Sequence, residues 1–218
     1  MRTSLRCATG MALVLCAISN IPTLFAEQAQ APPPGFTALF NGQDLTGWEG
    51  DAKLWIVRER MLVGKSPGIK YNDFLSTTEE FGDFELRLAF RLVGGVGNSG
   101  VQFRSKKIPR HVSGYQADIG EGYWGCLYDE ARRNKVLVSA PPELAKVLRK
   151  SDWNQYVIRC EGDRIVQELN GLMTVDYREN DPAIPRSGII ALQIHSGGPM
   201  EIQFKDLWIK RLDKSAKK

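Results

Sequence analysis

Short segments in which apolar and polar residues alternate follow one another along the chain from residue 36 onward. In residues 84–91 the order Phe-Glu-Leu-Arg-Leu-Ala-Phe-Arg alternates with period two, which is typical of a β-strand with one buried face. Similar segments recur at residues 100–104, 115–119, 153–160, 164–169, 188–195 and 202–212. Only residues 142–149 look helical. Many short strands with almost no helix predict an all-β sandwich or barrel, formed as a single domain.

One turn is predicted from its residues. Asn170-Gly171 separates two strand-like segments, and this dipeptide favours the tight turn of a two-residue β-hairpin.

The polar halves of the alternating segments predict a polar sheet face. If the segments are neighbours in one sheet, that face carries Glu85, Arg87, Gln102, Arg104, Gln116, Asp118, Gln193 and His195. Carboxylate, amide and guanidinium groups suit the hydroxyls of a sugar, which both donate and accept hydrogen bonds. The simpler interpretation is that any antiparallel sheet with one wet face alternates in this way, with Glu85 and Arg87 forming only a charge pair.

A glycine-rich stretch adds aromatic residues. Tyr123, Trp124 and Tyr128 cluster around Gly122 and Gly125. Rings exposed beside the polar face would stack on sugar rings. Packing in the core is at least as good an explanation for Trp48, Trp55, Trp153 and Trp208.

Composition and charge exclude few classes of protein. The 218 residues are 43% hydrophobic and 25% charged, with a net charge of +4, as in ordinary folded domains. The basic residues form no stripe, so nucleic-acid binding is not expected. There is no phosphate-binding loop, zinc spacing or nucleophile elbow. Asp118, Asp129 and Glu130 could supply oxygen ligands to a divalent ion, but their spacing is not that of an EF-hand.

The N-terminus predicts export. Arg2 and Arg6 precede a largely apolar run, from Cys7 to Ile18, that is too short to span a membrane, and Ala26 ends the segment. We therefore expect residues 1–26 to be a signal peptide and the protein to be periplasmic, cell-surface or extracellular. Residues 27–35 form a proline-rich linker, 36–212 the domain and 213–218 a basic tail.

Two cysteines would remain after removal of the signal peptide. In an exported protein Cys126 and Cys160 could form a disulfide or be separate buried thiols, and the sequence leaves both alternatives open.

Eight segments in order resemble a known family. They include GFTALFNGQDLTGW, FGDFELRLAFRL, GNSGVQFR, GYQADIG, WNQYVIRCEGDRIVQELNG and ALQIHSGGPMEIQFKDLWIKRL. Together they resemble the 3-keto-disaccharide hydrolase domain family over residues 36–212. The resemblance implies a concanavalin A-like jelly-roll sandwich of two antiparallel sheets, and action on glycosides whose sugar is oxidised at C3.

A ketone at C3 changes what a glycosidase needs. It acidifies the proton on C2, so a base can form an enolate, the aglycone leaves C1 by elimination, and added water completes a net hydrolysis. Such a site needs a base, a group that stabilises the enolate oxygen and an acid for the leaving oxygen.

The resemblance implies roles for individual residues. Asp118 or His195 would be the base and Arg104 would hold the oxyanion, a role that a divalent ion could take over. The residues expected to bind the substrate, an oligosaccharide or other glycoside, are Glu85, Arg87, Asn98, Gln102, Gln116, Trp124, Tyr128 and Gln193. Many relatives carry glutamate at position 116, so Gln116 raises the question of whether this chain is active.

Two other functions stay open. A non-catalytic carbohydrate-binding module could have the same fold, since fold does not determine function. An ordinary glucanase would have two acidic residues separated by one position, but at that spacing Gln116 and Asp118 provide only one carboxylate.

Overall fold

Residues 30–212 are described by a computed structural model of the chain. The strands are β1 (Thr37–Ala38), β2 (Trp48–Glu49), β3 (Trp55–Arg58), β4 (Met61–Ser66), β5 (Asp73–Phe81), β6 (Phe84–Leu92), β7 (Asn98–Ile108), β8 (His111–Gly120), β9 (Leu127–Glu130), β10 (Lys135–Val138), β11 (Asn154–Glu161), β12 (Arg164–Leu169), β13 (Leu172–Arg178), β14 (Gly188–Ile194) and β15 (Met200–Arg211). Two 3₁₀ helices, Val93–Gly95 and Pro142–Lys146, complete the elements.

The strands form two antiparallel sheets. The eight-stranded sheet has the order β13-β12-β11-β6-β15-β4-β3, with β1 paired to β15. The seven-stranded sheet has the order β10-β9-β8-β7-β14-β5-β2. This arrangement confirms the predicted all-β sandwich of the jelly-roll type.

The apolar halves of the alternating strands meet between the sheets. Phe90 and Tyr156 come from the eight-stranded sheet, and their ring centroids are 5.3 Å apart. Phe103 and Tyr115 come from the seven-stranded sheet and stack at 5.8 Å. All four are buried. Because these residues lie inward, the intervening residues on β7 and β8 are directed to the outer face of their sheet.

The predicted local features are present. Asn170 and Gly171 join β12 to β13 with φ values of 51° and 79°, as a type I′ turn requires. The helical segment is confined to residues 142–146 and is a 3₁₀ helix.

Cys126 and Cys160 are free thiols, and both are buried, so the disulfide alternative is wrong. They lie in different parts of the sandwich: Cys160 is on β11, whereas Cys126 precedes β9.

The predicted signal peptide, the first residues of the linker and the basic tail lie outside residues 30–212. Within that range no helix is long and apolar enough to cross a membrane.

Candidate functional site

A row of buried amides crosses the outer face of the seven-stranded sheet. Because β8, β7 and β14 are neighbours, they bring together Gln116, Gln102 and Gln193, which we call the amide row. Gln102 Nε2 donates to Gln116 Oε1 at 2.9 Å, and Gln116 Nε2 donates to Gln193 Oε1 at 3.3 Å. Ser105 Oγ donates to Gln102 Oε1 at 2.8 Å. Gln193 Nε2 is buried and has no hydrogen-bond partner among the described residues, so the row ends in an unused donor.

The amide row depends on a glycine beneath it. A Cβ atom at Gly100 would lie 2.5 Å from the Cδ atom of Gln116. Since atoms do not approach so closely, only glycine leaves room for the Gln116 side chain to lie across β7.

Asp118 lies on the same face, two residues after Gln116 on β8. It is 4% exposed, and Asn98 Nδ2 is 3.4 Å from its Oδ1. Burial raises the pKa of Asp118 to about 7. Hydrogen bonds from Gln116 and Asn98 lower the pKa in part, and the negative charge of Glu130 raises it further. A pKa near 7 suits a catalytic acid or base that works at neutral pH.

The opposite sheet fixes the backbone of Asp118. The hydroxyl of Tyr156, fully buried on β11, donates to the Asp118 carbonyl oxygen at 2.9 Å. The core of the sandwich thus holds the residue in place from the inner side.

His111 and Glu130 complete the polar centre. His111 Nε2 is 3.4 Å from Glu130 Oε1, and its ring centroid is 5.3 Å from that of Phe74. Glu130 is on β9 and Phe74 on β5, with three strands between them, so the His111 ring lies over the intervening strands. Burial raises the pKa of Glu130, while the charges of His111 and His195 oppose the rise.

His195 follows β14 directly. Its backbone N–H donates to the Asn98 carbonyl at 3.2 Å, and its Nδ1 is 2.7 Å from the Ser196 carbonyl oxygen. A carbonyl oxygen can only accept, so Nδ1 carries a proton and Nε2 is left for other chemistry.

A groove of about 650 Å³ adjoins this centre. It lies beside β2 and β5 and is bounded by residues 69–73 and by the turn between β7 and β8. Its lining includes Glu49, Asp51, Tyr71, Phe74, Lys107 and His111. His111 and Phe74 therefore border both the polar centre and the groove.

The expectation of one shared polar face is wrong for Glu85 and Arg87. Both lie on β6, which belongs to the other sheet. The two side chains pair with each other, Arg87 Nη2 being 2.6 Å from Glu85 Oε1, and Arg159 is 3.1 Å from Glu85. Arg87 also lies over the Phe36 ring at 4.6 Å, so the pair belongs to an ion-pair cluster on the opposite side of the molecule.

Arg104 also lies away from the expected face. A β-bulge between Phe103 and Lys106 shifts the register of β7 against β8, and Arg104 has a φ of 45°. Its guanidinium donates to Asp83 Oδ1 at 2.8 Å and to the carbonyls of Gly82 and Gly162. The bulge inserts residues that break the alternation, so Arg104 is 3% exposed and is not available to hold an oxyanion.

The aromatic cluster divides between the core and the surface. Trp124 is 9% exposed and stacks on Phe90 with centroids 6.4 Å apart, so the expectation that it lies beside the polar face is wrong. Tyr128 lies opposite Gln116 in the pairing of β9 with β8. The rings of Tyr128 and the exposed Tyr123 are nearly perpendicular, with centroids 6.2 Å apart.

The proposed metal ligands are not arranged as a site. Within residues 30–212 no group of three or more His, Cys, Asp or Glu side chains is positioned to hold a metal ion. Asp129 points away from Asp118 in the strand alternation and forms salt bridges with Arg132 and Arg133 instead.

Sequence reasoning missed His111 and considered Glu130 only as a ligand for a divalent ion. The alternation of β9 places Glu130 in phase with Tyr128, so its place beside Gln116 and Asp118 could have been found by extending the pattern one strand further. His111 follows the turn after β7 and carries no periodic signal. Its position over the sheet could not be read from spacing.

The fold and its outer face define the class to which the chain belongs, a β-sandwich protein with a buried polar centre on the outer face of one sheet. The match of a family model over residues 35–210 then specifies the family. The chain belongs to the family of the 3-keto-alpha-glucoside-1,2-lyase-like domain. A comparison with curated proteins found no match.

Solved structures share the fold at low sequence identity. A candidate glycosyl hydrolase from Parabacteroides distasonis is 21% identical, with a TM-score of 0.62 over 82% of this chain and 94% of the other. Carbohydrate-binding module CBM66 from Bacillus subtilis is 18% identical, with a TM-score of 0.60 over 75% and 95%. A Bacillus subtilis protein with a galectin-like fold is 12% identical, with a TM-score of 0.60 over 83% and 96%. At these identities the likeness establishes the architecture.

Proposed function

We propose that the protein cleaves 3-keto-glycosides by removing the C2 proton and eliminating the aglycone, followed by hydration. The observation that carries the proposal is Asp118, a buried carboxyl group whose pKa is raised to about 7 within a row of amides. This environment suits the abstraction of a carbon-bound proton, because a base with a pKa near the working pH is both deprotonated and basic.

The neighbouring groups supply the other requirements of the reaction. Asp118 takes the C2 proton, and the electron pair of the C2–H bond forms the enolate with the C3 carbonyl. Gln193 Nε2, the unpartnered donor at the end of the amide row, stabilises the enolate oxygen in place of Arg104. Asn98 and Gln116 orient sugar hydroxyls.

The second half-reaction breaks the bond to the aglycone. As the enolate collapses, the C1–O bond breaks and the leaving oxygen takes a proton from Glu130, whose pKa is raised by burial. His195 belongs to the same polar centre, since its charge lowers the pKa of Glu130. Water then adds across the C1–C2 double bond, its hydroxyl to C1 and its proton to C2, which completes the net hydrolysis.

The first experiment compares a 3-keto-glucoside with its unoxidised parent and follows aglycone release by chromatography. We expect release from the keto form alone, and a loss of at least a hundredfold in Asp118→Asn, as is usual for removal of a general base. Glu143→Gln, which changes an exposed carboxyl group to an amide outside the polar centre, serves as the control and keeps full activity. A fully active Asp118→Asn variant would contradict the assigned role.

A carbohydrate-binding module is the second candidate. It is supported by the shared fold with CBM66, nearly all of which the chain covers, and by an Asp118 carboxyl that barely reaches the surface. This candidate predicts saturable glycan binding by calorimetry with no release from either form of the substrate.

A further inference from the structure

The groove beside the polar centre contains the features of a second sugar site. We propose, resting on the proposed function, that it binds the second sugar of a 3-keto-disaccharide and that Tyr71 is the surface on which this sugar stacks. The oxidised ring would lie at the polar centre and the second ring in the groove.

Continuity with the polar centre is the first argument. Phe74 lies opposite Gln193 in the pairing of β5 with β14, and its ring contacts His111. Both aromatic rings also line the groove. A ligand at the amide row would therefore lie close to the two side chains that line the groove.

The exposure of Tyr71 is the second argument. The residue is 66% exposed, the largest value among the exposed large hydrophobic residues of the described chain. Single exposed apolar residues are common and need no explanation. Tyr71 differs from Val96, Tyr123 and Met173 because it alone among these exposed residues lines the groove. An aromatic ring at the rim of a polar groove offers its face to the C–H face of a sugar.

The polar lining is the third argument. Lys70 and Arg110 line the groove without an ion-pair partner among residues 30–212, whereas Lys107 is paired with Glu49 at 2.5 Å. Asp73 accepts a hydrogen bond from Trp55 Nε1 at 2.8 Å, and burial raises the pKa of its carboxyl group. Donors and acceptors of both kinds suit a neutral polyhydroxyl ring better than a strongly charged ligand.

The size of the groove fits this occupant. A volume of about 650 Å³ lies within the range of small-molecule sites and exceeds the space that a methyl aglycone would fill. We therefore expect the groove to discriminate by the aglycone and to favour a sugar over a methyl group.

The test compares two substrates in one variant. Tyr71→Ala should lower kcat/KM for a 3-keto-disaccharide about tenfold, mainly through KM, and leave kcat/KM for methyl 3-keto-glucoside unchanged. Tyr71→Phe, which keeps the ring, should behave as the unmodified protein. Met173→Ala, an exposed apolar truncation on the other sheet, controls for a general effect of losing surface area.

Each result decides one question. Unchanged kinetics with both substrates, or equal losses with both, would overturn the second-sugar site while leaving the proposed reaction in place. If the unmodified protein releases nothing from either substrate, the proposed reaction fails and the site is tested by calorimetric titration with the keto-disaccharide. Weaker binding in Tyr71→Ala than in Tyr71→Phe would then support the site, and equal binding would overturn it.

Discussion

The burial of the Asp118 carboxyl group affects both the stability of the fold and the proposed reaction. The protonated form is favoured in the folded state because burial raises the pKa from 3.8 to about 7. The stability that this residue contributes is thus fully present below pH 3.8 and is lost as the pH rises through 7. The same ionisation creates the proposed base, so the reactive form is the less stable one.

Asp118→Asn separates these two effects. We expect the variant to match the unmodified protein in the free energy of unfolding near pH 4 and to exceed it at pH 8 by up to about 4 kcal/mol, because asparagine has no charge to bury. Urea denaturation at the two pH values measures the difference. An equal difference at both values would show that Asp118 does not titrate with a raised pKa.

At the scale of the strands, side-chain direction is decided by bulges and by sheet membership as much as by alternation. Period two was sufficient to identify β6, β7 and β8 and to place Gln116 and Asp118 outward. It could not show that β6 pairs with β11 and β15 instead of β7, because strands of either sheet alternate alike. It also could not locate the bulge that turns Arg104 inward, since residues 103–106 carry no sequence feature specific to a bulge.

The sequence predicts that the three glutamines of the amide row face outward, but not that they contact one another. Gln102, Gln116 and Gln193 have the expected phase, but their contact depends on the order β8-β7-β14, which joins strands distant in sequence. Long-range pairing of this kind is set by the whole fold and not by local pattern.

Gly100→Ala tests the packing of the strands beneath the row. The added methyl group would lie 2.5 Å from the buried Gln116 side chain, so we expect a loss of about 1–3 kcal/mol in stability from overpacking, together with reduced activity. The matched control is Gly82→Ala, where an added Cβ would meet its nearest neighbour at 3.9 Å. Thermal denaturation and aglycone release measure both effects, and a Gly100→Ala variant as stable as Gly82→Ala would contradict the argument.

At the scale of the whole molecule, an ionic cluster joins the two sheets at one end of the sandwich. Arg133 bridges Asp129 on β9 and Glu179, which follows β13, and the Tyr115 hydroxyl donates to Glu179 at 2.5 Å. Burial alone would raise the pKa of Glu179, but its hydrogen bonds with Arg133 and Tyr115 lower it to about 2. Its contribution to stability is therefore present above pH 4.5 and is lost as the pH falls through 2.

Glu179→Gln should lower the free energy of unfolding by about 3 kcal/mol at pH 7, because it leaves part of the Arg133 charge without its partner. The deficit should shrink as the pH falls towards 2, where the carboxylate of the unmodified protein also takes up a proton. Denaturation at pH 7 and pH 3 measures both values, with Glu143→Gln as a control of equal charge change. If the loss in the free energy of unfolding is the same at both pH values, it comes from altered packing and not from the charge of Glu179.

Because the amide row is buried, the NMR signals of its side-chain NH₂ groups can be used to detect ligand binding. The side-chain NH₂ groups of Gln102 and Gln116 donate within the row, and both residues are at most 2% exposed. Their protons should exchange slowly with deuterated solvent and give NMR signals resolved from those of the surface glutamines. A ligand that engages the free NH₂ of Gln193 would shift these resonances in sequence along the row, so a sugar at the polar centre could be detected in unlabelled ligand mixtures before any product forms.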